Sequence, residues 1–389
     1  MACRKFMGIH SVGTNNRVEE GDMRENGHVA EAVATGQSAS LDQRTVEALL
    51  HKAVTDFGAT ISTSMAAVGD KLGLYKAVAR YGPLDSRKLA SITGTYERYV
   101  RDWLVNQAAG GYVTYDEKSG QYSMTPEQAA LMADENNPFY VAGGFQLFTA
   151  LVKAEHRALH NIRSGEGMYW TEHDPGLFEG TERFFRPGYE QNLVKSWIPA
   201  LDGVEARLRA GARVADVGCG HGASTIIMAK AYPESQFWGF DFHDSSIKRA
   251  RQAAREAGVA DRIRFEIAGA TDFPGGDYDL ITFFDCLHDL ADPIGALHRS
   301  RSALTPDGTV LIVEPMATED VAGNLNPVGR IYSAASVFVC MPNAIAGGGT
   351  PLGTLAPEKS LREVASAGGL SHFRRVTETP FNRIFEAKA

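Results

Sequence analysis

At 389 residues the chain is longer than one compact core usually holds, and its 44% apolar content can fill two. Its 39 Lys and Arg are outnumbered by 47 Asp and Glu, and the net charge of −8 argues against a protein that works by neutralising nucleic-acid phosphates. No run of about 18 apolar residues suggests a membrane span, and Cys3, Cys219, Cys286 and Cys340 form no CxxC pair, so reduced thiols in a cytoplasmic protein without a metal site are expected.

Residues 1–40 are rich in Gly, Ser, Asn and charge and lack the apolar core of a secretory signal, so a mobile tail is expected. From 41 to 135 the pattern is helical. An apolar helix over Phe57–Leu74 breaks at Gly69 or Gly73, and short helices follow at Ser86–Ile92 and Glu97–Ala109. Tyr112–Tyr115 and Gln121–Met124 then flank a Lys118-Ser119-Gly120 turn, as in a hairpin. Helix, turn, helix and hairpin is the order of a winged helix. A groove-reading helix needs basic residues, yet Arg98 and Arg101 alternate with Glu97 and Asp102 beside Tyr96, Tyr99 and Trp103. Dimerisation is therefore the expected use of this domain, ahead of DNA binding.

Residues 136–208 are helical and aromatic, with Phe139, Tyr140, Phe145, Phe148, Tyr169, Trp170, Phe184, Phe185, Tyr189 and Trp197. Most are expected to pack in the core, and a minority to line an acceptor pocket.

From 209 to 389 strands alternate with helices. Strands are predicted at Arg213–Val217, Gln236–Asp241, Ile263–Ala268, Asp279–Phe284 and Thr309–Val313. Helices are predicted at Ser224–Ala231, Ser245–Ala257 and Pro293–Leu304. This alternation implies parallel pairing and a doubly wound sheet, with ligands at the carboxyl ends of the strands. Residues 317–355 interrupt the sheet and read as a lid hinged at Gly347-Gly348-Gly349 and Gly353. Ser360–Ala367 supplies a last helix, and Phe381–Ala387 an antiparallel edge strand.

The first strand runs into Asp216-Val217-Gly218-Cys219-Gly220-His221-Gly222-Ala223. Glycines there let the backbone turn sharply and approach a ligand. Gly218-x-Gly220-x-x-Ala223 also fits a dinucleotide fingerprint, so a nicotinamide cofactor stays open on this run alone. Asp216, two residues before the first glycine, is suited to accept hydrogen bonds near a cationic amino acid. Asp241, ending the next strand, is placed to hold two ribose hydroxyls.

With these motifs the chain resembles the class I methyltransferases through the whole sheet domain. The fold class this implies is α/β: a doubly wound Rossmann-like sheet with an antiparallel last strand, joined to an N-terminal α-helical winged-helix domain. Asp216-x-Gly218-x-Gly220-x-Gly222 resembles their first motif, and Ala270-Thr271-Asp272-Phe273-Pro274 their adenine-contacting loop, except that Ala268-Gly269 stand where Gly-Asp is frequent. The resemblance implies S-adenosyl-L-methionine as cofactor. It would be held by Asp216, Gly218, Cys219, Gly220, Gly222, Asp241, Phe242, Ala270, Thr271, Asp272, Phe273 and Asp285. Leu287-His288-Asp289 resembles a segment of small-molecule O-methyltransferases that also carry a winged-helix dimerisation domain. In that family the histidine takes a proton from the acceptor hydroxyl, and Glu314 resembles the carboxylate that orients it. The resemblance spans about residue 45 to the C-terminus and extends to bacterial regulator-like methyltransferases. It implies a homodimer acting on a small-molecule acceptor, with no nucleic acid or membrane partner. An operator-binding sensor and a nicotinamide oxidoreductase are the alternatives.

Overall fold

The structure, a computed structural model, describes residues 41–389. The tail expected at 1–40 lies outside the described residues. The described chain divides into two compact units after Asp56, within the helix Gln43–Lys71.

Beyond Asp56, the chain first builds the winged-helix elements. That first helix ends at Lys71, and Gly73, in the left-handed conformation at φ 69°, starts the helix Leu74–Tyr81. Gly73 is thus the break; Gly69 stays helical for another reason. A Cβ on Gly69 would lie 2.3 Å from the Trp103 ring, so its bare backbone admits the indole, whose Nε1 donates to the Met65 carbonyl at 2.9 Å. Asp85 caps the helix Ser86–Thr93 by accepting from Lys88 N, and Gly94 ends it with φ 66°. The helix Glu97–Ala109 follows, then strands β1 (Thr114–Asp116) and β2 (Gln121–Ser123), antiparallel, with Leu84 bridging to Tyr122. Each strand is one residue shorter than its alternation predicts, and the first starts two residues later, at Thr114. Leu74, Tyr75, Val78, Leu84, Leu89, Val100, Trp103 and Leu104 form its core.

Two long helices connect this module to the sheet. Ala142–Leu151 packs on Pro175–Asn192, and the crossing is close because a Cβ on Gly180 would strike the Leu147 backbone at 2.5 Å. From this second helix Arg183 makes a two-pronged ion pair with Asp70 at 2.6 and 3.1 Å, and also donates to Tyr140 Oη.

The sheet strands are β3 (Arg213–Val217), β4 (Gln236–Asp241), β5 (Ile263–Ile267), β6 (Tyr278–Phe284), β7 (Leu304–Pro315), β8 (His372–Glu378) and β9 (Asn382–Lys388), in the spatial order β5-β4-β3-β6-β7-β9-β8. β5 through β7 are parallel, while β9 runs antiparallel to both β7 and β8. Alternate residues serve opposite faces. Val214, Leu280, Leu311 and Val313 face one core, while Ala215, Ile281, Val310 and Ile312 face the other. Strand order reverses between β3 and β6, which opens a crevice at their carboxyl ends.

Two sequence-based expectations need correction here. The C-terminal strand is not an edge: β9 inserts between β7 and β8, and β8 forms the edge. The polar, half-exposed β8 carries little alternation, whereas β9 is buried, including Arg383, whose guanidinium donates to the Pro315 and Ala356 carbonyls. Residues 317–355 are also not a glycine-hinged loop. They fold into helices Pro327–Ala335 and Met341–Ala346 joined by a wide helical turn, Ser336–Cys340. Gly349 packs against the Ala291 backbone, where a Cβ would meet its carbonyl at 1.8 Å.

Replacing Gly69 by Ala should destabilise the protein by about 1–3 kcal/mol, because the methyl group overpacks the Trp103 site. Urea unfolding of the two proteins side by side measures this.

Candidate active site

The crevice widens into an open cavity of about 180 Å³ whose wall includes Gly218, Cys219, Gly220, Asp241, Phe242, Ala270, Asp285 and Cys286. At its base the loop after β3 turns with Gly218 at φ 73°, and a Cβ there would also meet Cys286 Sγ at 2.7 Å. Only glycine satisfies both the left-handed backbone and the contact. The Gly218 and Cys219 amides donate to the Phe240 carbonyl at 2.8 and 3.0 Å, which fixes the loop against the end of β4.

Asp216 does not line the cavity. It is fully buried beneath the loop, where Oδ2 accepts from Ser224 and Thr225 hydroxyls at 2.7 and 2.5 Å and Oδ1 accepts from Thr282 at 3.0 Å. Burial pushes its carboxyl up to about 6, against the pull of those three hydroxyls. The residue expected to meet a cationic ligand directly is thus a brace that locks the glycine loop to the following helix and to β6.

Asp241 does line the cavity. Its Oδ2 accepts from the Gly220 amide at 2.9 Å and its Oδ1 from the His243 amide at 2.8 Å, and a carboxylate so held retains lone pairs for further donors. Burial raises it above the ordinary carboxylate range. Of the predicted Ala270–Phe273 loop, only Ala270 reaches the cavity, joined by Ala268. Thr271 and Asp272 are exposed, and Phe273 is buried against Phe240 at a ring separation of 5.3 Å. Phe273 is apolar enough to be drawn into the core, and so anchors the loop instead of presenting a face.

Asp285 follows β6 with φ 50°, a left-handed position for a non-glycine residue. Tyr189 Oη donates to its Oδ2 at 2.8 Å and Asn382 Nδ2 to its Oδ1 at 2.7 Å. Burial pushes its carboxyl up to about 7. The one-turn helix Leu287–Asp289 begins two residues on. There His288 Nδ1 lies 2.9 Å from Glu314 Oε2, with both side chains buried. Burial drives the imidazole pKa down, but the Glu314 and Cys340 side chains more than offset it, and the net direction is well above the usual value. His288 is not on the cavity wall; its neighbours Cys286, Asp289 and Leu290 are. The sequence-predicted pair is therefore brought together, one layer behind the surface that a ligand meets.

Several wall residues escaped the sequence analysis. Trp170, Phe178, Thr181, Glu182, Phe185 and Tyr189 close the cavity opposite the sheet. Trp170, Phe185 and Tyr189 belong to the aromatic set singled out above; Phe178, which stacks on His243 at 4.4 Å, does not. Asn343 joins them from the 317–355 segment, donating to the Asp289 carbonyl and accepting from Trp170 N, each at 2.9 Å. His221 lines the cavity too, with burial and Arg249 holding its imidazole down to about 4. No local pattern marks these positions, since three distant segments supply them.

Because Asp216 titrates near 6 when folded and near 3.8 otherwise, its stabilising contribution is complete below about pH 4 and lost as pH rises through 6. Relative to Asp216→Asn, the protein should lose up to about 3 kcal/mol of unfolding free energy between pH 4 and 7. Denaturant melts of both proteins across that range give the difference.

Comparison with known proteins agrees with this architecture. A family model described as a methyltransferase domain matches residues 208–350, and one described as a Rv2258c-like winged HTH domain matches 59–134. The 27-O-demethylrifamycin SV methyltransferase of Amycolatopsis mediterranei (strain S699) is 28% identical over 170 residues, 42% of this chain and 57% of that protein. The chain spans less than two thirds of the length of such curated relatives. Among solved structures, a putative O-methyltransferase from Nostoc punctiforme PCC 73102 superposes with a TM-score of 0.67 at 20% identity, covering 88% of this chain and 98% of that one. The structure of PigF with SAH superposes with a TM-score of 0.66 at 18% identity, over 87% and 99% of the two chains. The chain thus has a methyltransferase domain over residues 208–350 and a winged-helix domain over 59–134, and it shares its class I S-adenosylmethionine-dependent methyltransferase fold with these solved structures.

Proposed function

We propose that this protein transfers a methyl group from S-adenosylmethionine to an oxygen of a small-molecule acceptor, with His288 as the base and Glu314 orienting it. The observation that carries the reading is the buried 2.9 Å contact between His288 Nδ1 and Glu314 Oε2 beside the glycine-loop cavity. The cavity residues fit the cofactor: a glycine cradle at Gly218 and Gly220, a carboxylate at Asp241 with lone pairs to spare, and apolar walls at Phe242, Ala268 and Ala270, while Gly222 packs behind them against Phe265. When bound, the cofactor supplies a sulfonium-activated methyl group.

The chain's own residues do the rest. Trp170, Phe178 and Phe185 offer flat apolar surface for a planar acceptor and keep water from the reacting oxygen. Glu314 fixes the imidazole with its proton on Nδ1, so the second ring nitrogen, which meets the Cys340 thiol, is the one to take the hydroxyl proton once the acceptor displaces that contact. Because His288 sits behind Cys286, Asp289 and Leu290, acceptor binding has to shift the 317–355 segment, whose Asn343 is tied to both Asp289 and Trp170. That segment serves as the lid.

The winged helix serves as a dimerisation domain. Its helices 57–71 and 97–109 lie side by side, joined by Asn106 to Ser62 at 3.0 Å and by Trp103 to Met65. The first helix and the turn after it expose Ile61, Val68 and Leu72, and the second helix exposes Tyr99 and Val105, apolar side chains suited to contact with a second copy of the chain. Arg98 and Arg101 are engaged by Asp102 and Glu97 and offer no basic footprint.

On a panel of phenolic acceptors, His288→Ala should lower kcat by about 10²–10⁴-fold while S-adenosylhomocysteine affinity, read by calorimetry, is unchanged. A variant with full turnover at every pH removes the base role. Since the imidazole is held above its usual range, kcat/KM should rise with pH through an inflection above 6.5, and Glu314→Gln should move that inflection down. Ile61→Asp with Val68→Asp should halve the particle mass seen by light scattering; an unchanged mass places the dimer interface elsewhere.

A further inference from the structure

The His288 turn brings two further donors, Asp289 and Cys340, up to the imidazole, and the proposed methyl transfer gives neither a role. The side chains of His288, Asp289 and Cys340 each present a ligand atom, and these atoms lie within 4.8 Å of one another, the one such group among the described residues. Imidazole, carboxylate and thiol form a donor set suited to zinc and its thiophilic relatives, and poor for magnesium or calcium. A tetrahedral ion with bonds of about 2.0–2.3 Å closes that span with side-chain movements below about 1 Å. Because His288 Nδ1 is turned to Glu314, Nε2 is the nitrogen left for an ion, and the carboxylate behind the ring is the usual support of a metal-bound histidine. Asp289 also lines the cavity, so an ion has a route in and one position left open on that side.

We propose that His288, Asp289 and Cys340 form a binding site for one thiophilic divalent cation, zinc being the reference ion, and that its occupancy shuts off methyl transfer. On binding, Zn–N, Zn–O and Zn–S bonds form, and the thiol proton, the carboxyl proton and the second proton of a charged imidazole leave to solvent; nothing is oxidised or reduced. Two anionic ligands then balance the charge of the ion inside a buried site, the condition under which a desolvated cation is tolerated. The bound ion takes the Nε2 lone pair that would accept the acceptor's proton. This last consequence rests on the base reading above, whereas the binding itself does not.

The test uses the full chain, stripped with a chelator and titrated with zinc against a chromophoric competitor, and separately with cobalt(II). The expected result is one equivalent bound per chain, a cobalt spectrum with tetrahedral bands and a thiolate charge-transfer band, and binding weakened at least about tenfold in both Cys340→Ser and Asp289→Asn. Circular dichroism confirms that the variants fold, and the wild-type stoichiometry and cobalt spectrum decide the matter even where a variant does not. Absence of a stoichiometric site, a cobalt spectrum without thiolate character, or folded Cys340→Ser protein that binds as tightly as wild type overturns the proposal. The titration is read without turnover, so it stands or falls apart from the transferase reading. Zinc should then inhibit wild-type turnover of a phenolic acceptor and spare Cys340→Ser; equal inhibition of the two overturns the regulatory part.

Discussion

The Asp285 carboxylate holds the site together. It receives one hydrogen bond from Tyr189 on the helix over the cavity and another from Asn382 at the start of β9. Its own amide donates to the Val313 carbonyl on β7. Two segments that lie about a hundred residues away in either direction, 96 and 97, thus meet the neighbouring strand β7 on one residue whose backbone is left-handed at φ 50°. A bend of that kind is costly for a residue with a side chain and persists only where its surroundings over-determine it. Here the bend ends β6 and starts the turn that delivers His288 to Glu314.

The same region is unusually rich in buried acid. Asp216, Asp241, Asp285 and Asp289 are all raised above the ordinary carboxylate range, chiefly by burial. Their roles nonetheless differ with their partners. Asp216 is saturated by three hydroxyls and serves the loop. Asp241 holds two backbone amides and still faces the cavity. Carboxyls that lose water without gaining a cation lose stability on ionising, so a positively charged ligand in this cavity is favoured on electrostatic grounds alone. The acidic floor and the aromatic roof of Trp170, Phe178 and Phe185 give the cavity opposite chemical characters on its two sides.

Packing carries equal weight in joining the parts. Arg183 binds Asp70 and Tyr140 from the centre of the helix that also supplies Phe178, Phe185 and Tyr189. A planar guanidinium gripping a carboxylate with two hydrogen bonds sets orientation as well as distance. The cavity roof is therefore registered against the winged-helix core, and a change in either is felt by the other.

Local periodicity and glycine chemistry were enough to read the parallel strands, the glycine loop and Asp241, and the resemblance to small-molecule O-methyltransferases pointed to the two residues of the His288–Glu314 contact. Each of those signals lies within a few residues, and backbone turns and strand faces are set at that range. Three things were invisible there. Asp216 reads as a ligand contact beside the glycines, but burial under the loop made it a brace. The last strand reads as an edge, but β8 took the edge because its polar face tolerates water while β9's does not. Trp170, Phe178, Asn343 and Cys340 approach the site only because helices far apart in sequence pack over the crevice. The sequence by itself determined the fold class and the chemistry at the strand ends, since both follow from local backbone preference and hydrophobic period. Only the tertiary structure decided which side chains face the cavity, which support it from behind, and that a thiol sits beside the histidine, because burial and side-chain partnership depend on contacts across the whole chain.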